Sequence, residues 1–219
     1  MQNIKSHIIV LDGKVNSGRK TFCFELALAL MYNNQKTALL LSPDSSLHKT
    51  LANRPKDLPT PEIILRKDFL SKANDYDAII IPEISSNDEL AITAQTYITM
   101  QTKSKQSSKE FQKNLTYINS LWELKKKIAS KYNRSLDWVI CENNLKEKAE
   151  ENPSEEILKI SRMYGFRLCP PLNKRNAYQN NFLGLSAQDK TSSKLNKYLT
   201  YDDICAKREI IKLAEFIFS

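Results

Sequence analysis

Short runs of apolar residues recur along the chain and alternate with longer segments of helical character. They lie at His7 to Leu11, Thr37 to Leu41, Glu62 to Leu65, Ala78 to Ile81, Thr96 to Met100 and Trp138 to Cys141. Strands that are apolar along their whole length are buried on both faces, as in a parallel sheet covered by helices on each side. The pattern therefore predicts an α/β fold in three layers, with a mainly parallel sheet flanked by helices.

The segment between the first two runs, Thr21 to Tyr32, is apolar almost all round and long enough for three helical turns. It is predicted to be a buried crossover helix. In open sheets of this kind, ligands bind beyond the carboxyl ends of the strands. We therefore look for functional residues in the turns that follow the strands.

The length of 219 residues predicts a single domain over 1–219. No apolar run approaches the roughly 20 residues that a bilayer span needs, and the amino terminus has no secretory pattern, so a cytoplasmic protein without a membrane span is expected. The four cysteines and two histidines form no metal-ligand or disulfide spacing. An unrelated α/β enzyme is a further possibility, but the two isolated histidines allow no Ser/His/Asp, Cys/His or metal set to be assembled.

Positive charge is concentrated in one segment. The chain has a net charge of +8, and Lys103 to Arg134 carries +7 of it, together with apolar residues at helical spacing. An amphipathic helix with a lysine-rich outer face is predicted, including Lys125, Lys126 and Lys127. Such a face could bind DNA phosphates or anionic lipid, or it could be an ordinary solvated surface.

Two features are predicted near the carboxyl terminus. A last helix begins near Thr200, where Asp203 three residues later makes a variant of the capping box. The polar stretch from Gln188 to Lys197 precedes it and is predicted to be an exposed connection.

Two of the four glycines, Gly13 and Gly18, fall in the turn between the first strand and the buried helix. In a phosphate-binding loop of the form G-x-x-x-x-G-K-[ST], the backbone curls around the anion, the lysine reaches the outer phosphates and the hydroxyl holds magnesium. Here Arg19 stands in place of the lysine and Lys20 in place of the hydroxyl. Either the loop is shifted so that Lys20 and Thr21 act as the pair, or the metal-binding hydroxyl has been lost.

The turn resembles the deviant Walker A motif of the ParA/MinD family, K-G-G-x-G-K-[ST]-T, with Lys14 as its signature lysine. The carboxyl half is similar to the MipZ branch of that family, which positions the division plane by antagonising FtsZ. The similar segments are Leu136 to Leu145, Tyr164 to Leu168, Pro171 to Arg175, Phe182 to Leu185 and Ala206 to Glu209.

The resemblance implies a dimer that closes on ATP and holds nucleoid DNA in the bacterial cytoplasm, with an FtsZ-like or ParB-like partner. Lys14 would reach the phosphates of the other subunit. Asn143 would recognise the adenine base, and Pro171 and Leu172 would pack against it. The nucleotide-binding set implied in this way is Lys14, Gly18, Arg19, Lys20, Thr21, Asn143, Pro171 and Leu172.

The acidic residues of the family pattern are missing. Leu41 and Pro43 stand where an Asp would orient the attacking water, and Asp44 comes one residue late; Pro82 stands where the Walker B Asp would be. Lys14 and Asp44 remain the candidate catalytic residues. ATP is the expected ligand. Because a bound metal ion neutralises much of the β/γ-phosphate charge during hydrolysis, the loss of its usual ligands leaves the magnesium site in doubt and predicts weak or lost hydrolysis. Glu83 or Asp44 acting as a substitute ligand is the alternative.

Two functions stay open at this point. One is a MipZ-like, nucleotide-responsive protein that acts in cell division or chromosome positioning. The other is a catalytically dead pseudo-ATPase that serves as a DNA- or protein-binding module.

Overall fold

All six apolar runs form strands in the computed structural model, which describes residues 4–13, 17–102, 108–143, 155–191 and 199–219. With a short seventh strand they make one sheet in the order β3-β2-β4-β1-β5-β6-β7. All of its strand pairs are parallel. The strands are β1 His7–Gly13, β2 Thr37–Leu40, β3 Glu62–Ile64, β4 Ala78–Pro82, β5 Thr96–Thr102, β6 Asp137–Asn143 and β7 Arg167–Leu168.

Helices cover both faces of the sheet, as predicted. Alternate residues of β1 serve two separate cores: Ile9 and Leu11 pack with helices α1 and α6, and Ile8 and Val10 pack with α3 and α4. The α-helices are α1 Arg19–Tyr32, α2 Leu47–Ala52, α3 Phe69–Lys72, α4 Ser108–Tyr132, α5 Glu155–Tyr164 and α6 Tyr201–Phe218. Short 3-10 segments include Asn176–Leu183 and Asp189–Thr191. The three-layer α/β prediction is confirmed.

Helix α1 lies beneath α6 and is buried from Phe22 to Leu30. The helix is apolar on all sides because one side packs against the sheet and the other packs against α6. Helix α6 begins with the predicted capping box, in which Thr200 accepts from the Asp203 backbone N–H and Asp203 accepts from the Thr200 backbone N–H. Both helix predictions are confirmed.

The expectation of an exposed connection from Gln188 is wrong at its start. Gln188 and Asp189 are buried, because Asp189 forms an ion pair with Arg54 in which both side chains are fully buried, with Nη2 and Oδ1 2.7 Å apart. A buried charge is tolerated only when it is paired and hydrogen-bonded. Polar composition alone did not reveal that partner, which lies far away in the chain.

Within the part of the chain that the structure describes, none of the helices has the length and apolarity needed to cross a bilayer.

Candidate functional site

The turn between β1 and α1 lies at the carboxyl edge of the sheet and depends on its glycines. Gly18 has a φ of 86°, and a Cβ there would lie 2.1 Å from Nδ2 of Asn143. Gly13 ends β1 with a φ of 148°, and a Cβ there would meet the Met100 carbonyl oxygen at 2.4 Å. Only glycine fits both the backbone conformation and the space. The predicted Lys14 falls in residues 14–16, outside the described residues.

The backbone N–H groups at the start of α1 can donate hydrogen bonds to a ligand. No acidic residue lies in its first turn, and the first N–H groups of a helix have no partner within the helix. The buried hydroxyl of Ser17 also lacks a hydrogen-bond partner among the described residues. Together these donors fit an anionic group of a ligand.

Asn143, at the end of β6, is held directly against this turn. Its Nδ2 donates to the Ser17 carbonyl oxygen at 2.8 Å. On the next connection, Leu172 donates from its backbone N–H to the Glu142 carbonyl oxygen at 2.8 Å, and its side chain is buried in the core. Pro171, beside it, is half-buried. The structure therefore brings Asn143 to the glycine turn and places the Leu172 side chain in the core.

Both cations that follow Gly18 contact carboxylates. Nη1 of Arg19 is 3.4 Å from Oδ1 of Asp12, whose other oxygen accepts from the Tyr97 hydroxyl at 2.9 Å. Nζ of Lys20 is 2.9 Å from Oε1 of Glu83. From the sequence, Glu83 was predicted only as a substitute metal ligand, and its contact with Lys20 depends on the tertiary structure.

A cavity of about 730 Å³ opens beside the turn, within the size range of small-ligand sites. Gly18, Thr21 and Asn143 line one side. The lining also includes the cations Lys20, Lys49, Lys174 and Arg175 and, among the described residues, no carboxylate. Such a lining favours an anionic ligand.

Helix α6 positions several of the residues that line this cavity. Glu209 accepts from Nδ2 of Asn173 at 2.7 Å and from Nη2 of Arg175 at 2.6 Å. It also accepts from the Tyr178 hydroxyl at 3.1 Å. Burial, followed by the charge of Glu209, raises the pKa of Tyr178 above its usual range, so Tyr178 stays a neutral donor. The glutamate thereby positions three residues that line the cavity.

Asp44 follows β2 and is exposed. A hydrogen bond from Ser42 lowers the pKa of its carboxyl, and the positive charge of Lys20 adds to this effect. Asp44 is therefore an anion near the Lys20 end of the cavity.

The usual magnesium ligands of a P-loop enzyme are absent from the described residues of this site. The loop hydroxyl is replaced by Lys20 and the Walker B carboxylate by Pro82 at the end of β4. No group of three or more His, Cys, Asp or Glu side chains that could hold a metal occurs in the described part of the chain. The described residues beside the turn supply N–H groups and cations that fit a phosphate group, and the nearby carboxylates of Asp12 and Glu83 contact Arg19 and Lys20.

The three candidate lysines of α4 differ in their surroundings. Nζ of Lys125 donates to the Gly165 carbonyl oxygen, and burial lowers the pKa of this lysine. Lys126 is exposed and lies 2.5 Å from Glu123. Lys127 is also exposed. Only the last two present their charge mainly to solvent.

A parallel seven-stranded sheet with a glycine turn between β1 and α1 defines an α/β protein of the P-loop NTPase class. The family model described as "ATPase MipZ" matches residues 99–217, more than half of the chain. The chain therefore belongs to the MipZ family of ParA/MinD-type P-loop ATPases. No curated protein matches the chain.

Solved structures support the same fold. The septum site-determining protein MinD from Pyrococcus horikoshii, complexed with Mg-ADP, is 15% identical, with 97% of this chain and 96% of that chain covered at a TM-score of 0.55. The MinC:MinD cell division protein complex from Aquifex aeolicus is 12% identical, with 97% and 96% covered at 0.59. The complex of McdA(D38A) from Cyanothece with ATP is 12% identical, with 95% and 97% covered at a TM-score of 0.52.

Proposed function

We propose that this protein binds ATP beside Gly18 and acts as a nucleotide-responsive switch in cell division or chromosome positioning, with weak or lost hydrolysis. The observation that carries the proposal is the cationic cavity lined by Gly18 and by Lys20 and Thr21 at the start of α1. Membership of the MipZ family supports ATP as the nucleotide. The neighbours described with Mg-ADP or ATP support it as well.

The residues divide the binding task by chemistry. The N–H groups at the start of α1 and the cations Arg19 and Lys20 would receive the phosphates. Asn143 would recognise adenine, as the family resemblance implies; it lines the cavity together with Thr21 and Asn173. Lys14 would act across a dimer interface, as the family resemblance implies.

Weak hydrolysis follows from the missing carboxylates. Phosphoryl transfer needs charge neutralisation and an oriented water, but Leu41, Pro43 and Pro82 supply no carboxylate. The loss of several kcal/mol of transition-state stabilisation corresponds to about a thousandfold or more in rate, at about 1.4 kcal/mol per tenfold. Asp44, exposed at the end of β2, is the remaining candidate to orient water.

Partners are proposed from the same family relationship. The MinC:MinD neighbour is a cell division protein complex, which supports a division or segregation protein, FtsZ-like or ParB-like, as partner. A nucleotide-dependent homodimer is the expected form of the bound state. Nucleoid DNA is the proposed ligand of the lysines on α4.

Calorimetry with ATP tests the proposal directly. We expect micromolar binding that is lost in Lys14→Ala and in Asn143→Ala, because both remove a group proposed to contact the nucleotide. The matched control is Asn119→Ala, an exposed position on α4 away from the cavity, which should bind as the unmodified protein does. Sedimentation with and without ATP tests for dimerisation.

The second candidate is the pseudo-ATPase module, favoured by the contacts that already engage Arg19 and Lys20 with carboxylates. It predicts no ATP binding at millimolar concentration while DNA or protein binding is retained. That result would contradict the nucleotide switch.

A further inference from the structure

Lys20 stands at a sequence position that contributes to magnesium binding in P-loop NTPases. In P-loop NTPases, the Mg²⁺ ion lies between the loop Ser/Thr and the Walker B Asp. Here the residue at the first position is Lys20, and the residue at the second is Pro82, followed directly by Glu83. Nζ of Lys20 lies 2.9 Å from Oε1 of Glu83. A fixed cation of the protein therefore spans the same two elements, the start of α1 and the end of β4.

The backbone around Glu83 holds that arrangement in place. Glu83 has a φ of 66°, in the left-handed region that non-glycine residues seldom occupy. Its N–H donates to the Leu11 carbonyl oxygen at 3.2 Å, which anchors it to the end of β1. Its carboxylate is thereby directed toward the first turn of α1, where Lys20 is the second residue.

The ammonium remains accessible to a ligand. The Lys20 side chain is 40% exposed and that of Glu83 is 27% exposed, and Lys20 lines the cavity. Three donors belong to an ammonium, so contact with one carboxylate oxygen leaves others for phosphate oxygens. Lys49, Lys174 and Arg175 add positive charge to the same cavity.

We propose that the Lys20 ammonium, held by Glu83, takes the place of the divalent ion, so that the protein binds the triphosphate of ATP without magnesium. The inference rests on the proposed binding of ATP. Like charges in a partly desolvated site repel, and Lys20 therefore disfavours a metal ion at this position. Free ATP is the preferred ligand, and the magnesium complex of ATP is the weaker one.

Calorimetry in two buffers tests this, one with EDTA and one with excess MgCl₂. We expect ATP to bind more tightly in EDTA than in magnesium. Equal or tighter binding in magnesium would overturn the inference and leave the proposed ATP binding intact. The absence of binding in both buffers would overturn both proposals.

Variants assign the effect to Lys20. Lys20→Thr should lose at least tenfold in ATP affinity in EDTA, whereas Lys72→Thr, an exposed lysine on α3, should bind as the unmodified protein does. Lys20→Thr combined with Pro82→Asp restores the two metal-binding groups of the family pattern, and its ATP binding should become magnesium-dependent. Unchanged affinity of Lys20→Thr in EDTA, with a normal far-UV spectrum, would overturn the assignment.

Discussion

At the scale of single residues, the candidate site depends on the fit between Gly18 and Asn143. Gly18 occupies the left-handed region, and the Asn143 amide fills the space where a side chain would begin. The same amide donates to the Ser17 carbonyl oxygen and so holds Ser17 and Gly18 against the end of β6. The turn and the end of β6 are therefore one geometric unit, although the sequence separates them widely.

Gly18→Ala should reduce ATP affinity at least tenfold, because the added Cβ forces the Asn143 amide away from the turn. Calorimetry measures the affinity, and circular dichroism checks the fold. Gly165→Ala is the matched control, since Gly165 also has a positive φ, of 64°, but its Cβ would meet only the flexible end of Lys125. Equal ATP affinity in both variants would contradict this role of Gly18.

At the scale of elements, the sequence shows which residues depart from the family pattern, but it does not show which of them contact each other. The replacement of a hydroxyl by Lys20 and of a carboxylate by Pro82 was visible in the sequence. The pairing of Lys20 with Glu83 was not, because it depends on how the start of α1 faces the end of β4. The same applies to α4: its apolar residues at helical spacing include Ile118, Leu121, Leu124 and Ile128, which are buried, but the pattern did not show that Lys125 is half-buried.

Reversing the exposed lysines of α4 tests its proposed role in DNA binding. Lys126→Glu with Lys127→Glu should weaken DNA binding at least tenfold at low salt, because a lysine face binds phosphates. Electrophoretic mobility or fluorescence anisotropy measures the affinity. Lys125 is left unchanged because its ammonium contacts Gly165, so its reversal would also disturb packing.

The control for this experiment is Lys56→Glu with Lys72→Glu, which alters two exposed lysines outside α4 and changes the net charge equally. An equal loss of DNA affinity in both double variants would show that net charge alone matters, and would remove α4 as the binding surface.

At the scale of the whole molecule, a buried polar network connects α1 to two distant connections. Asp189 accepts from Arg54 and from the Tyr32 hydroxyl. Nearby, Glu25 of α1 is fully buried and accepts from the Ser186 hydroxyl at 2.7 Å. Burial raises the pKa of Glu25 to about 8, against the opposing effect of the Ser186 hydrogen bond.

This shift predicts how stability depends on pH. An unfolded glutamate titrates near pH 4.3, so between about pH 4.3 and about pH 8 the Glu25 carboxyl is protonated in the folded protein and ionised in the unfolded chain. The contribution of Glu25 to the free energy of unfolding should therefore fall as pH rises through this window, by on the order of a few kcal/mol, and should level off above it.

Glu25→Gln should remove most of that slope, whereas Glu215→Gln, an exposed change on α6, should keep it. Urea titrations at several pH values between 5 and 9 measure the free energy of unfolding. An identical slope in Glu25→Gln would show that the carboxyl of Glu25 is ionised throughout this range.

The sequence by itself determined the features that depend on neighbouring residues. Short apolar runs predicted the strands of the sheet, although β3 at its edge is buried only at Ile64. An apolar helix of three turns has to lie inside, and Thr200 and Asp203 cap α6 at a distance of three residues. The tertiary structure alone decided which distant groups meet: Lys20 with Glu83, Arg54 with Asp189, and Glu209 with the cavity wall. The physical reason is that periodicity and capping act within a few residues, whereas a buried charge is stabilised by whichever partner packing brings within hydrogen-bond distance.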